Sequence, residues 1–491
     1  MTTSSIMKQE NKYVAYLKDY CANCTLAGFS YIANTNLHFI ERIFWFICVV
    51  ISAFGSYVLI SQYQRDFNSR AVSIVYESLP STQKVVFPTI AACDMYNKYE
   101  ALPNLIDFVE ELDGPDAKDY SYEIENFISF LVYPYIYREG NIKSWCKVKC
   151  CTECPSDNLR GLYHRFKTNC SDFFESCEFS LKPFDCCKHF LPLVTPHGNC
   201  FMLNSLLNNK RGSPTWFNSE IDPMTDTAKL KIVTKMPTQV SIMNEEDVPH
   251  DALPGNKIEA NKPGQDKTFQ IFMQSMINDP DVRDIAPAFR QCRFPDELLP
   301  DTSYRAYSFS TCFVDCLRVY QMKECNCSVF SVMPELNSNY KDCDLEGFLC
   351  LEKLILVRPD GRNLLPWAKS KYTCECLPSC TESDFKVVFD YQLKINASNP
   401  YLTISVTMPE FATERYRRQA LRTRLDVVVT IGGILGLFLG ASILSGIEFL
   451  YYFTLRLWNN YKMEKRQKRQ QQKQQLQQQQ LYNRTRQQQR Y

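Results

Sequence analysis

Two long apolar runs interrupt a chain whose other segments alternate between apolar and polar positions. Ile43 to Ile60 carries no charge and places Phe44, Trp45 and Phe46 near its start. Val427 to Leu455 carries a single charge, Glu448. Each run is long enough to cross a bilayer core of roughly 30 Å as a helix. The second exceeds that length, so it must tilt, break or project. Between the two runs the period shortens. Ala228-Lys-Leu-Lys-Ile-Val233 and Phe385-Lys-Val-Val-Phe389 predict strands. Tyr307 to Met322 and Leu102 to Leu112 predict helices. Residues 240–268, rich in Pro, Asn, Gly and charge, predict an exposed loop. The Gln-rich stretch after Gln467 predicts a disordered or fraying helix.

Cysteine sets the compartment. The chain has 491 residues and 23 cysteines, and all but Cys21, Cys24 and Cys48 lie between Cys93 and Cys380. That density suits an oxidising environment in which thiols pair. Residues 1–19 are polar and contain no apolar secretory core, so the first apolar run is expected to act as a signal anchor. The segment after the second run is rich in Lys and Arg, as a short cytosolic flank should be. The organisation expected is a cytosolic segment over 1–42, a first span over 43–63, an extracellular domain over 64–424, a second span over 425–455 and a basic tail over 456–491. The fold class is therefore a membrane protein with two transmembrane helices and a large, disulfide-rich, mixed α/β extracellular domain. Sequons at Asn169, Asn326 and Asn396 lie in that domain. Those at Asn23 and Asn483 fall on the cytosolic side and should stay bare.

Several chemistries are excluded. A net charge of +1 argues against a nucleic-acid partner. No Ser/His/Asp set, nucleotide loop or catalytic carboxylate pair is present, so the chain is not read as an enzyme, and it calls for no cofactor. Cys146, Cys150, Cys151 and Cys154 superficially resemble a zinc cluster, but outside the cell disulfides prevail and no metal site is expected. Spacing does not give the disulfide connectivity. The adjacent pairs Cys150-Cys151 and Cys186-Cys187 should bond to different partners. Cys21-x-x-Cys24 is read as reduced structural thiols, with a redox or metal role as the alternative. Arg415-Tyr-Arg-Arg418 fits a proprotein-convertase site or, alternatively, a solvated or headgroup-facing basic patch. Lys462, Lys465, Arg466, Lys468 and Arg469 suit either anionic lipid or simple topological retention.

The second run carries the most informative pattern. Gly432, Gly436 and Gly440 recur every four residues, and small residues at that spacing let helices approach closely in lipid. Ser442, Ser445 and Glu448 recur every three residues, and such a face is costly against hydrocarbon. Gly440-Ala441-Ser442 joins the two faces. Its carbonyls can serve an ion only if the helix breaks or staggers there, because a straight helix hides them. One two-span chain cannot enclose a pore, so self-association or association with related subunits is required.

The stretch Gly432-Gly-Ile-Leu-Gly-Leu-Phe-Leu-Gly-Ala-Ser-Ile-Leu-Ser-Gly-Ile-Glu448 closely resembles the signature of the degenerin/epithelial sodium channel family. Phe87-Pro-Thr-Ile-Ala-Ala-Cys93 is similar to the segment after that family's first span. Cys312-Phe-Val-Asp-Cys316 with Cys325-Asn-Cys327 resembles its central cysteine block, and Cys374-Glu-Cys-Leu-Pro-Ser-Cys380 the block before its second span. Tyr416-Arg-Arg-Gln-Ala-Leu421 looks like the insect pickpocket branch. The resemblance implies a plasma-membrane homo- or heterotrimer of family subunits, voltage-independent permeation preferring Na⁺, amiloride block, and an extracellular ligand for a hand-like ectodomain as in acid-sensing channels. Gly440, Ala441 and Ser442 would form the filter, with Ser445 and Glu448 below it. Disulfides would join Cys93, Cys200, Cys292, Cys312, Cys316, Cys325, Cys327, Cys343, Cys350, Cys374, Cys376 and Cys380 in some combination.

Two departures concern gating. The family's His-Gly pair before the first span reads Ala27-Gly28 here, and its position for a small residue in the second span is Val429. The resemblance therefore implies altered open probability or dependence on a partner subunit. A non-conducting accessory subunit or two-span receptor, an ATP-gated two-span trimer and a membrane-anchored enzyme are the alternatives. The Gly-Ala-Ser signature and the Cys-x-Cys blocks argue against the ATP-gated trimer.

Overall fold

A computed structural model describes residues 16–69, 71–80, 83–95, 107–108, 127–128, 131–132, 158–250, 257–332, 340–354, 374–393, 398–421 and 424–488. Of the helix expected over Leu102 to Leu112, only residues 107–108 are described, and they are helical. The 146–154 cysteines and Asn396 fall outside the described residues. The chain divides into two compact bodies, residues 73–419 and the two flanking segments together.

The larger body is built on β-structure. Its strands are β1 (Val72–Ser78), β2 (Val85–Val86), β3 (Thr89–Asp94), β4 (Phe174–Phe179), β5 (Lys182–Phe184), β6 (Phe190–Thr195), β7 (Gly198–Leu203) and β8 (Glu220–Ile221). They continue as β9 (Lys229–Thr234), β10 (Thr238–Met243), β11 (Lys257–Ala260), β12 (Asp266–Gln274), β13 (Met276–Asn278), β14 (Asp384–Gln392), β15 (Leu402–Thr407) and β16 (Glu414–Ala420). One sheet has the order β11-β10-β3-β7-β6, and a second β14-β12-β15-β9-β4-β5, in which only the β12–β15 pair is parallel. β1, β16 and β13 form a smaller sheet, and β2 pairs with β8.

The core lies between the two large sheets. β9 buries Leu230 and Ile232 and leaves the intervening lysines partly exposed, which is the period-two pattern read from sequence. Facing them from the other sheet are Ile90, Ala92, Phe201, Val240 and Ile258. β3 is buried on both faces, because Ala91 and Cys93 point the opposite way, into a second cluster with Tyr304 and Val314. A helix, Phe309–Cys325, covers that face. Its start is fixed by Ser308, whose side chain accepts from the Thr311 N–H in a capping box.

This layering explains the main error of the sequence reading. Residues 240–268 are not one exposed loop, since they include β11, most of β10 and the start of β12. β10 is buried along its whole length because it lies inside the sheet, between β3 and β11. The Pro, Asn, Gly and charged residues that follow it made the whole stretch look solvated.

Among the described residues, eight disulfides lock this body. Cys93–Cys200 joins directly opposed residues of β3 and β7. Cys312–Cys376 and Cys316–Cys374 leave one face of the Phe309–Cys325 helix a turn apart. Cys325–Cys350 and Cys327–Cys343 tie that helix's C-terminal end to the Leu345–Leu354 helix. Cys292–Cys380 completes the set of twelve cysteines singled out above. Cys170–Cys187 and Cys177–Cys186 are further bridges, and the neighbours Cys186 and Cys187 do take different partners.

The Arg415–Arg418 segment is not a free basic patch. It lies in β16, whose backbone is paired on both sides, by β1 and β13. Arg418 is buried and donates from Nη1 to Asn278 Oδ1 and to the Cys380 carbonyl. Arg415 pairs with Glu77, and Arg417 with Glu77 and Asp279. The two arginines hold the Glu77 carboxyl below its ordinary range, Arg415 contributing most.

Close to Cys380 the body buries two acids, Glu246 and Asp247, and half-buries a third, Glu382. Glu246 accepts from Ser379 and Thr381, and Asp247 from Ser310. Burial raises both carboxyls above their usual range. Glu382 is raised to about 7, by burial first and then by the charges of Asp247 and Glu246. A carboxyl raised in the folded state binds its proton more tightly there than in the unfolded chain. Its stabilisation is therefore complete below the unfolded value and is lost as pH rises through 7. We predict that the thermal unfolding of the detergent-solubilised chain shifts to lower temperature between about pH 4 and about pH 8. Glu382→Gln should raise the melting temperature at the higher pH and leave it unchanged at the lower one. Equal melting temperatures of wild type and variant at both values would contradict this.

Candidate functional site

The smaller body holds both apolar runs. After a short helix α1 (Phe29–Ala33), helix α2 (Phe39–Ser69) is unbroken, and Phe39–Asp66 is long and apolar enough to cross a bilayer. The second run is two helices, α3 (Arg424–Leu439) and α4 (Ile443–Tyr451), bent by 73°. α4 continues through a π-helical turn, Tyr452–Arg456, into α5 (Leu457–Gln488). The Gln-rich tail is thus helical as far as Gln488.

The break falls on Gly440-Ala441-Ser442, and each residue type has a local reason. Gly440 sits at φ +63°, the left-handed conformation that ends helices and that a Cβ disfavours. Its N–H bonds the Gly436 carbonyl, as in an αL cap. Ser442 is extended and caps α4. Its hydroxyl accepts from the Ser445 N–H, while the Ser445 hydroxyl accepts from the Ser442 N–H. The Leu439 carbonyl has lost its helical donor and instead accepts from the Ala27 N–H at 3.0 Å.

Ala27 belongs to an N-terminal segment that runs along α4. Arg456 pairs with Asp19 at 2.8 Å, and Tyr16 bonds Asn460. Tyr20 packs edge-on against Phe449, Tyr452 and Phe453. Thr25 donates its N–H to Glu448 Oε2 at 3.0 Å, and its hydroxyl lies 2.9 Å from the same oxygen and 2.8 Å from Ser445 Oγ. The segment then turns at Gly28, at φ +87°, where a Cβ would stand 2.7 Å from the Val49 side chain.

The structure brings together Ala27, Gly28, Gly440, Ala441, Ser442, Ser445 and Glu448. Ser445 is only 5% exposed, held against Thr25. Val429 lies a few turns away on α3 and is 64% exposed. Of the glycine stripe only Gly440 is closely approached within this chain, since a Cβ at Gly432 would meet nothing within 4 Å and one at Gly436 only the Ala441 carbonyl. Close helix approach occurs instead at Gly55 of α2, where a Cβ would stand 2.9 Å from the Phe438 ring. Sequence reasoning missed Gly55, Tyr20 and Thr25. For Thr25 the available signal was its position three residues before Gly28. Among the sequons, Asn169 and Asn326 are exposed, but Ser328 of the second is buried. No group of three or more metal-ligating side chains occurs among the described residues.

The fold and site define a protein with a helix long and apolar enough to cross a membrane, a disulfide-locked mixed α/β body and a helix pair broken at a Gly-Ala-Ser link. The amiloride-sensitive sodium channel (ASC) family matches residues 20–452, and the chain belongs to that family. Pickpocket protein 19 of Drosophila melanogaster is 21% identical over 87% of this chain and 90% of its own length. Sodium channel protein Nach of the same species is 22% identical over 92% and 90%. Human acid-sensing ion channel 2 is 22% identical over 87% and 84%.

The Gly440 geometry makes a quantitative expectation. A Cβ at this position would lie 3.3 Å from that of Ala27, on a backbone that costs a non-glycine residue about 1 kcal/mol. Gly440→Ala should lower the thermal stability of the solubilised chain, and Ala27→Gly in the same molecule should recover the part due to contact. A double variant no more stable than Gly440→Ala would show that the close approach is not limiting.

Proposed function

We propose that this chain is a subunit of a trimeric, voltage-independent, Na⁺-selective and amiloride-blocked channel of the plasma membrane. Both termini are cytosolic, α2 is the first span, and α3 with α4 is the second, broken span. The permeation path narrows at Gly440-Ala441-Ser442. The observation that carries this reading is the break itself. It takes the Leu439 carbonyl out of helical bonding and ends the helix with the three smallest side-chain types available, where an unbroken helix would have offered only its side chains.

Assembly is supported by β14, an edge strand with Val388 62% and Phe389 54% exposed. An apolar edge of this kind needs a partner to leave water. The trimeric count comes from the family. Bulk membrane lipid surrounds the spans, Na⁺ is the permeant ion, and an extracellular ligand or other stimulus acts on the ectodomain. A subunit that conducts only with a related partner is the second reading. Ala27 favours it, because the family's histidine is absent and Ala27 packs directly on Gly440.

Voltage-clamp recording of the chain, alone and with a pickpocket-type subunit, tests the proposal. Currents should be blocked by amiloride and should fall when Na⁺ is replaced by K⁺. Equal currents in the two ions would defeat the filter assignment, whereas current seen only with the partner would select the second reading. Ala27→His should shift open probability at unchanged surface density, since it puts the family's residue at a position in contact with Gly440.

A further inference from the structure

Helix α5 carries its charge on one side. At about 100° per residue, Lys462, Lys465, Arg466, Arg469 and Lys473 fall within roughly 100° of arc. All five are exposed, and among the described residues none of them is paired with an acid. The Trp458 ring centre lies 5.0 Å from the Lys462 ammonium and holds it at the start of the row. Asn460, which bonds Tyr16 of the N-terminal segment, stands on the far side of the helix, so that contact leaves the row uncovered. Only one acid, Glu464, occurs in α5. Like charges three and four residues apart repel and weaken a helix. Retention of the tail in the cytosol needs positive charge but no shared face. The alignment therefore calls for a further reason.

Position supplies one. From Ser442 the chain runs through α4, the π-helical turn and α5 without a break. Lys462 lies about 30 Å along this rod from the Gly440-Ala441-Ser442 link, as far as a bilayer core is thick. A rod that starts at the filter thus brings the row to the cytosolic mouth of the path, and a trimer brings three rows together there. We propose that the α5 row rectifies the channel. Its positive field depletes cations at the cytosolic mouth, so Na⁺ enters more readily than Na⁺ or K⁺ leaves. This inference rests on the proposed channel reading with its cytosolic tail. The field reaches about 8 Å at physiological salt, so only charge standing at the mouth itself contributes.

The variant that tests it combines Lys462→Gln, Lys465→Gln, Arg466→Gln, Arg469→Gln and Lys473→Gln. Glutamine already fills much of α5 and favours helix about as well as Lys or Arg. Currents are recorded from excised patches of whichever subunit combination conducts, with equal Na⁺ on both sides. Wild type should pass about threefold more current inward than outward at equal and opposite voltages, as partial depletion of cations by a single-signed mouth would give. The five-Gln variant should pass equal currents, and Glu at the same five positions should reverse the asymmetry. Raising the cytosolic ionic strength to about 1 M with an impermeant salt should abolish it in wild type, because the field then reaches only about 3 Å. The ratio does not depend on how many channels reach the surface. Equal currents in wild type, or an asymmetry that survives the five Gln changes, would overturn the proposal.

Thiol reactivity in the purified, solubilised chain gives a readout without current. Gln470→Cys places a thiol beside Arg466, Arg469 and Lys473. An anionic thiol reagent should modify it several-fold faster than a cationic one of the same size, relative to the same two reagents acting on a small free thiol, with modification read at residue 470 by peptide mass. Adding the five Gln changes should bring the rate ratio back to that of the free thiol. A wild-type ratio no different from the free thiol's overturns the proposal. The expected ratio, in a chain passing no current in any combination, supports the field and counts against the channel reading alone.

Discussion

The hydrogen bond from the Ala27 N–H to the Leu439 carbonyl is the constraint on which the smaller body turns. A helix that stops inside an apolar run leaves carbonyls and amides without partners, and hydrocarbon offers none. Here the break is satisfied from two sources. The Ser442–Ser445 capping box meets the amides at the start of α4, and the N-terminal segment supplies the donor for the last carbonyl of α3. Remove that segment and the broken helix pair has an unmet polar group at its bend. The bend and the N-terminus are therefore one structural unit, although more than 400 residues of sequence separate them.

The same contact couples the site's chemistry to its architecture. Thr25, two residues before Ala27, reaches Glu448 and Ser445 only because Ala27 is pinned at Leu439 and Gly28 turns the chain. Further along, Tyr20 and Asp19 extend the contact over two more turns, against Phe453 and Arg456. Any movement that carries this segment off α4 would release the carboxylate and expose the end of α3 together. In the larger body the corresponding constraint is covalent. Disulfides converge on the Phe309–Cys325 helix and on the region of Cys380, where the buried Arg418 and the buried acids Glu246 and Asp247 also gather.

Much of this was legible in the sequence because it depends on local pattern. The period-two alternation of β9, the helix over Tyr307 to Met322 and the apolar length of α2 are each written within a short stretch of chain. The need for a break at Gly440 was also legible, from the requirement that carbonyls leave the helix. Where reading failed, the deciding term was long-range. β10 has polar residues that a tertiary neighbour on each side buries. Arg418 looks like a surface basic residue until Asn278 and Cys380 enclose it. Thr25 is an unremarked hydroxyl until Glu448 arrives from the other end of the chain. The glycine stripe pointed to a helix contact, and the contact that forms within the chain uses Gly55 instead, because Phe438 faces α2.

The most direct test of the account asks whether the Gly440–Ser442 break lines the path of ions. Ser442→Cys, expressed in a combination that conducts, should lose current when a small cationic thiol reagent is applied from outside, while wild type is unaffected. Amiloride present during the exposure should slow the loss. Full chemical modification of the introduced thiol with undiminished current would place the path elsewhere and contradict the account.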